Sequence, residues 1–461
     1  MSGRTRSITA GVAAFVSATP SDAIPDAARL AGVRSIVDTI GVLLAGVSEP
    51  VVRMVADLVG PATGPATLLG LGRRASAADA ALVNATAAHA IDYDDVHSHV
   101  RGHPSACVLP AALAAAEHAG RGGAGLLDAY LIGIEVAARV GRGIGPSHAA
   151  QGFHSTAILG VLGAAAAASR ALGLDAERTA AALGIAASSA GGLRRNFGTM
   201  TKPLHAGYAA RDGVTAALLG RAGVTAAPDV LDPPGSFVDV YCPGGDADAE
   251  AIRDFGNPWE IVDPGMAIKK YPCCNRGHRA LDAVLDIVRL HDVRADDVES
   301  IEVRMPSGQV DAGGRVGPMT FPRPATGLEA KFSMPYVIAA AVADRGLPLA
   351  AFTDDGMRRP VIAALLPRVH PVNRADAQDH VEVVLTTRAG HRHRSVVRFA
   401  GGDPRGGEPL GWDDVVAKYT DCASTVLTPA AVGRSAALVR LLDSLDDVRE
   451  LTGMLVGEAV G

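Results

Sequence analysis

Apolar residues recur at helical spacing through the first half of the chain. Segments 26–46 (DAARLAGVRSIVDTIGVLLAG) and 125–145 (GLLDAYLIGIEVAARVGRGIG) place them three and four positions apart, and each segment closes with glycine. Strand-like alternation is nearly absent before residue 230. The pattern therefore predicts one helix after another from residue 8 to about residue 230.

The pattern changes after residue 265. VESIEVRMP (298–306) is typical of a strand, and residues 380–402 read as a hairpin around Ala389-Gly390. Two helices are predicted in the same region, near 278–291 and 333–345. A Gly/Pro-rich linker (401–412) follows, and helical spacing then returns.

These segments predict a mainly α fold in which the two chain ends form one large helical domain. Its parts are residues 1–266 and 403–461, and a smaller α/β lid domain is inserted at 267–402. A cleft between two such domains is a common place for an active site.

Composition limits the possible partners. The chain has 461 residues, 48% of them hydrophobic but only 4% aromatic, which indicates a core of closely packed Ala, Val and Leu. The net charge is −6 and the basic residues are dispersed, so no nucleic-acid partner is expected. Five irregularly spaced cysteines do not suggest a disulfide framework.

We expect a cytoplasmic protein without a membrane partner. The first 20 residues superficially resemble a signal peptide, but Ile8, Val12, Phe15 and Val16 lie at helical spacing. The longest apolar run, 156–168, is too short to span a bilayer.

Basic residues stand where four helices are predicted to begin. The four are His103, followed by Pro104; His154, before the candidate caps Ser155 and Thr156; Lys202, followed by Pro203; and His278. A helix N-terminus favours bound anions, so convergence of these ends would form a carboxylate pocket. Arg194, Arg195, Lys269 and Lys270 would add positive charge, and Arg194 is a candidate substrate-binding residue.

Residues 91–104 (IDYDDVHSHVRGHP) leave alternatives open. His97, His99 and His103 with an aspartate would suit zinc and a metal-dependent hydrolase. Against this, such H-x-H pairs usually lie at strand ends, whereas this loop lies between helical segments. A non-catalytic polycarboxylate-binding protein is the third hypothesis, and it would need Lys202 but not His103.

Several stretches together resemble the MmgE/PrpD family, whose members include 2-methylcitrate dehydratases, cis-aconitate decarboxylases and iminodisuccinate epimerases. The stretches, in chain order, are HAIDYDDVHSHVRGHPSACVLPAALA (89–114), GFHSTAILGVLGAAAAASRALGLD (152–175), GLRRNFGTMTKPLHAGYAARDGV (192–214), IKKYPCCNRGHRALDAV (268–284) and EAKFSMPYVIAAAV (329–342). The resemblance implies a helical domain with a lid, a homodimer, and chemistry without a metal or organic cofactor.

The resemblance also implies the site residues. Catalytic positions are matched by Asp92, His103, His154 and Lys202, and substrate-binding positions at the lid by Lys269, Tyr271 and His278. We expect His103 to be the main acid–base group and Lys202 to bind a substrate carboxylate, and also to transfer a proton if its pKa is depressed. His154 is expected to bind the substrate or to act from the opposite face, and Asp92 to orient His103 or its loop.

The implied reaction is proton abstraction or donation next to a carboxylate of a small di- or tricarboxylate. Dehydration, epimerisation and decarboxylation would all use this set of residues. Cys274 stands where the decarboxylase branch has histidine, and Val96 replaces a threonine. We therefore favour an iminodisuccinate epimerase-like or 2-methylcitrate dehydratase-like reaction over cis-aconitate decarboxylation.

Overall fold

The computed structural model describes residues 7–61, 63–376, 378–407 and 409–457. Its elements are numbered here in chain order. The helices of the N-terminal part are α1 (Ile8–Ala18), α2 (Asp26–Gly46), α3 (Pro50–Val59), α4 (Ala77–Ala90), α5 (Pro104–Ala119), α6 (Gly123–Ile144), α7 (Ser147–Ala150), α8 (Ser155–Leu172), α9 (Ala176–Ser188), α10 (Thr201–Ala222), α11 (Phe237–Tyr241) and α12 (Ala249–Arg253). Its short strands are β1 (Ala66–Leu68), β2 (Arg73–Ala75), β3 (Val96–His97) and β4 (Met266–Ala267).

The remaining elements form the lid region and the C-terminal return. The lid elements are α13 (His278–Leu290), β5 (Val298–Met305), α14 (Gly327–Ala330), α15 (Met334–Asp344), α16 (Asp354–Met357), α17 (Pro360–Leu365), β6 (Val369–Asn373), β7 (Val381–Thr387) and β8 (Arg392–Val397). The C-terminal helices are α18 (Trp412–Ala423), α19 (Pro429–Arg440) and α20 (Arg449–Thr452). The mainly α fold with a small α/β portion is confirmed.

Small residues allow the central helices to pack closely. A Cβ atom on Gly163 of α8 would lie 2.8 Å from the carbonyl oxygen of Gly133 on α6, so the two backbones are nearly in contact. Helix α8 is apolar and long enough to cross a membrane by composition, but 89% of that segment is buried inside the protein. It is therefore packed as a core helix, with α5, α6 and α10 as its main neighbours.

The lid sheet has the strand order β6-β5-β7-β8 within the described residues. Strands β5 and β6 are parallel and the other pairs are antiparallel, with Ile301 opposite Leu385. Side chains of β5 alternate between buried and more exposed, and α13 and α15 pack against the sheet. The strand at 298–306 and the hairpin around Ala389-Gly390 are thus confirmed.

Two hydrophobic cores divide the chain. The larger core contains buried side chains from Ile8 to Ile268 and again from Val415 to Leu455, so both chain ends contribute to it. The smaller core runs from Tyr271 to Leu385. The domain boundaries at residues 266 and 402 remain predictions.

Candidate active site

A cavity of about 750 Å³ lies between the helical part and the lid. The helical part contributes Asp92, His97, His103, His154, Arg194 and Lys202, and the lid contributes Cys274, Arg276, Arg279 and Arg398. Three of the four basic helix starts predicted from the sequence therefore meet at this cavity.

The local sequence explains two of these placements. His103 is the N-cap residue of α5, with Pro104 in the first turn, and His154 is the N-cap residue of α8. Ser155 and Thr156 are not the caps that the sequence predicted. They are already helical, and the Thr156 hydroxyl accepts a hydrogen bond from the backbone N–H of His103 at 3.1 Å, which links α8 to α5.

Asp92 follows the end of α4 and has a positive φ of 54°. Its Oδ1 accepts hydrogen bonds from Lys202 Nζ at 2.9 Å and from Lys269 Nζ at 3.2 Å. Burial raises the pKa of this carboxyl group, but the two ammonium groups outweigh burial and hold the pKa well below its usual value. Asp92 is therefore an anion fixed between two lysines.

The imidazole of His103 is oriented by Asp94 and Asp95 rather than by Asp92. His103 Nδ1 donates to the Asp95 carbonyl oxygen at 2.9 Å and lies 3.4 Å from Asp94 Oδ2. Because both neighbours of Nδ1 are acceptors, we assign the proton to Nδ1. Nε2 then keeps a free lone pair, 4.0 Å from Asp92 Oδ1.

His103 is a neutral base in the absence of substrate. Burial lowers its pKa to about 3, against the opposing effect of Asp94. Its side chain nevertheless keeps 13% of its surface exposed and lines the cavity.

His89 and Asp94 contact the residues that line the cavity, although neither was predicted from the sequence. His89 Nδ1 donates to Asp94 Oδ2 at 2.7 Å, and His89 Nε2 accepts a hydrogen bond from Lys202 Nζ at 2.9 Å. Burial lowers the pKa of His89, so the ring is neutral and suited to accept from the ammonium group. His89 lies inside the last turn of α4, where no capping signal marks it.

Lys202 has one donor left for a ligand. An ammonium group carries three N–H donors, and Asp92 and His89 take two of them. The Lys202 side chain lines the cavity, where the Phe197 and Phe332 rings lie 5.5 Å and 5.3 Å from Nζ. This geometry suits the binding of one substrate carboxylate oxygen.

His154 lies on another part of the cavity wall. Its Nδ1 is 3.0 Å from His205 Nδ1, so one ring donates to the other, and its ring packs edge-on against Phe197. Burial holds the pKa of His154 well below its usual value. His205 thus supports His154 directly.

The structure places Lys269, Tyr271 and His278 behind the cavity wall rather than in its described lining. Lys269 is buried against Asp92, the Tyr271 hydroxyl donates to Asp282 Oδ1 at 2.7 Å, and His278 Nε2 contacts the Cys273 carbonyl oxygen at 3.2 Å. This placement corrects the expectation that these three residues face the substrate. Their proximity to the lid boundary in sequence did not show which way each side chain points.

Arginines surround the outer part of the cavity. They are Arg101, Arg194, Arg276, Arg279, Arg398 and Arg405. The carboxylates in the described lining are already paired with basic groups: Asp92 with Lys202, Asp379 with Arg279, and Asp403 with Arg405. The cavity is therefore cationic in a chain whose net charge is −6, which favours an anionic ligand.

The histidines proposed as zinc ligands fall into two separate groups. His97 and His99 lie with Glu260, whereas His103 lies with His89, Asp92 and Asp94. His97 Nε2 donates to the Glu260 carbonyl oxygen at 3.0 Å, and His99 Nδ1 lies 2.5 Å from Glu260 Oε2. The set of His97, His99 and His103 assumed by the hydrolase hypothesis is therefore not assembled.

Neither group suits a divalent cation in this arrangement. Arg139 and Arg142 each lie 3.4 Å from Glu260 Oε1, and two lysines already neutralise Asp92. Fixed positive charges so close to the candidate ligands would repel a metal ion.

Two family models match most of the chain. The MmgE/PrpD N-terminal domain matches residues 10–250, and the MmgE/PrpD C-terminal domain matches residues 271–444. The chain belongs to the MmgE/PrpD family. The resemblance seen in the sequence is thereby confirmed.

Several characterised relatives of this MmgE/PrpD protein are cis-aconitate decarboxylases. The Homo sapiens enzyme is 32% identical over 394 residues, covering 82% of this chain and 79% of the relative. The Mus musculus enzyme is 31% identical (83% and 79% covered), and the enzyme of Aspergillus terreus strain NIH 2624 is 27% identical (85% and 84% covered). These matches do not support the preference, drawn from Cys274 and Val96, for an epimerase or a dehydratase over a decarboxylase.

Proposed function

We propose that this MmgE/PrpD protein is a lyase that decarboxylates a small unsaturated polycarboxylate of the cis-aconitate type. The arrangement of His103, with its free Nε2, beside Asp92 and the cavity-facing Lys202 carries the proposal. The names of the relatives supply the reaction class.

The charges suit the requirements of a decarboxylation. The bond to the departing carboxylate breaks, its electron pair delocalises towards a conjugated carboxylate, and carbon dioxide leaves. The remaining N–H of Lys202 stabilises the carboxylate that receives the charge. A proton must then reach the carbanion carbon, and His103 Nε2 faces the cavity from a helix start to deliver it.

His103 must first gain that proton. In the free protein burial lowers its pKa to about 3, so the ring is neutral near pH 7. A bound polycarboxylate brings several negative charges beside the ring and favours the imidazolium form. Substrate binding therefore converts His103 into the acid that later protonates the carbanion.

The direct test follows candidate acids by NMR in D₂O with the purified protein. The panel contains cis-aconitate, citrate, 2-methylcitrate and iminodisuccinate. We expect cis-aconitate to lose carbon dioxide and to give a product with one deuterium on carbon. His103→Gln should abolish this, whereas the exposed lid variant His370→Gln should match wild type. Tight binding of these acids without any turnover would instead support a binding protein and overturn the proposal.

Epimerisation or dehydration is the second candidate, because two neutral histidines from different helix starts reach the cavity. His103 and His154 supply a base and an acid for proton transfer at two faces of one carbon. Cys274 also lines the cavity at the position where the resemblance implies histidine in the decarboxylase branch. Deuterium exchange or loss of water without loss of carbon dioxide would identify this reaction in the same panel.

A further inference from the structure

Lysine is rare in this chain and is mostly buried. The sequence contains 38 arginines but only five lysines. Lys202, Lys269, Lys331 and Lys418 are each at most 8% exposed, whereas the Lys270 side chain is 38% exposed. Burying an ammonium group costs free energy unless acceptors surround it, so four such burials require a structural reason.

All four buried lysines converge on residues 91–93, the loop that carries Asp92. Lys202 reaches the carboxylate, and the other three reach successive backbone carbonyl groups. The contacts are Lys331 Nζ to Ile91 O (2.9 Å), Lys269 Nζ to Asp92 O (2.7 Å) and Lys418 Nζ to Tyr93 O (2.8 Å). We call these three side chains the lysine clamp.

The lysine clamp joins distant parts of the chain. In the sequence, Lys269 lies between Ile268 of the larger core and Tyr271 of the smaller core. Lys331 follows α14 in the lid, and Lys418 is on α18 in the C-terminal return. The loop is thus fixed from three directions. Lysine suits these positions because its ammonium group is compact, whereas the wide guanidinium group of arginine is shaped for paired acceptors.

The loop needs such support because of the conformation of Asp92. Its φ of 54° is in the left-handed region, which costs a non-glycine residue about 1 kcal/mol or more. This conformation aims Oδ1 at Lys202 and places it 4.0 Å from His103 Nε2. A relaxed loop would move the carboxylate away from both groups.

We propose that Lys331 and Lys418 are positioning residues that hold the Asp92 loop in its catalytic geometry. Neither residue is in the described lining of the cavity, so each would act through Asp92 rather than on the substrate. The inference rests on the proposed function for its kinetic readout, but not for its structural one.

Lys331→Met is the first variant that tests the proposal. Lys331 is held by two carbonyl oxygens, those of Ile91 and Pro272, and by the Phe352 ring 4.3 Å from Nζ. Methionine is one atom shorter and keeps the apolar stem, but it removes the ammonium group and its donors. We expect kcat to fall about 10- to 100-fold with KM within about threefold, since a displacement of 1 Å can cost this much. Lys270 is exposed and is not in the described lining of the cavity, contrary to the expectation that it adds positive charge there. Lys270→Met is therefore the matched control and should change kcat less than about twofold.

A second variant covers the case in which Lys331→Met does not fold. Lys418 is also 2.7 Å from the buried Asp38, so its removal alone would leave a buried charge unpaired. The double variant Asp38→Asn with Lys418→Met removes both charges together. It should show the same loss of kcat with little change in KM.

The structural test is a double-mutant cycle of Lys331→Met with Asp92→Gly, measured by thermal unfolding. Glycine adopts a positive φ without strain, so it needs no clamp. Lys331→Met should lower Tm in the wild-type background and less than half as much in the Asp92→Gly background. Equal Tm losses in both backgrounds, or an unchanged kcat, would overturn the inference. If wild type acts on no acid of the panel, the proposed function fails while this cycle still decides the clamp.

Discussion

Around Asp92 on the helical side of the cavity the charged groups are buried and bonded to one another, whereas the lid contributes arginines with more exposed side chains. Asp92 and Lys202 are 2% and 3% exposed and form an ion pair. Arg276 and Arg279 are half-buried, and Arg398 is exposed. The two walls therefore hold charge under different dielectric conditions.

This difference suggests that one wall carries out the reaction and the other binds the substrate. Burial lowers the pKa values of His103 and His154, and the two lysine ammonium groups hold the pKa of Asp92 well below its usual value, which fixes the protonation states of all three groups. Exposed arginines keep their charge and remain screened by solvent. We expect the helical wall to determine kcat and the lid wall to determine KM.

Removal of Lys202 should have the largest effect. Lys202→Met deletes the cavity-facing donor and one of the two cations on Asp92, so kcat/KM should fall about 10³-fold. Steady-state kinetics with the acid identified by NMR would measure it. Lys270→Met is the control, and a fall of less than tenfold in Lys202→Met would remove the distinction between the two walls.

Removal of a lid arginine should have a smaller effect, confined to binding. Arg276 lines the cavity and donates to Gln309 Oε1 at 3.1 Å. Arg276→Gln should raise KM about tenfold with kcat within about twofold, because it removes charge that binds substrate and transition state alike. Arg392→Gln, on the exposed strand β8, is the matched control. A large loss of kcat in Arg276→Gln would assign chemistry to the lid.

Substrate binding should take up a fraction of a proton near pH 6. The pKa of His103 is lowered to about 3 in the free protein, and a bound polyanion raises it, so the complex holds more protons than its parts. Affinity should therefore increase as the pH falls from about 7 towards 5. Calorimetry in buffers of different ionisation enthalpy would measure the uptake. Equal uptake by His103→Gln would show that another group, or the substrate itself, is responsible.

Metal removal should have the smallest effect. The imidazole nitrogens of His89 are bonded to Asp94 and Lys202, and Arg139 and Arg142 lie beside Glu260. Dialysis against a chelator should change turnover by less than about twofold and leave Tm unchanged. If turnover is lost and added Zn²⁺ restores it, the result would support the metal-dependent hydrolase hypothesis.

Local signals in the sequence predicted several of the residues that line the cavity. Proline after His103 and after Lys202 marks the starts of helices, and helix starts are fixed by neighbouring residues. The hydrophobic periodicity likewise predicted the helical domain and the lid strand β5, because burial on one face needs no distant information.

The rest depended on tertiary packing. His89 lies within an alanine-rich helix, and Lys331 and Lys418 lie 240 and 325 residues from their carbonyl partners. No local pattern reports such contacts. The same limit explains why Tyr271 and His278 were expected in the cavity, since sequence neighbourhood does not determine which way a side chain faces.

The role proposed for His103 is to move the proton, while other residues hold the substrate. It is tested most directly by measuring both turnover and binding of cis-aconitate for His103→Gln. Turnover by NMR should fall more than about 100-fold, and the calorimetric Kd should stay within about threefold of wild type. Turnover near the wild-type rate in His103→Gln would show that His103 does not move the proton.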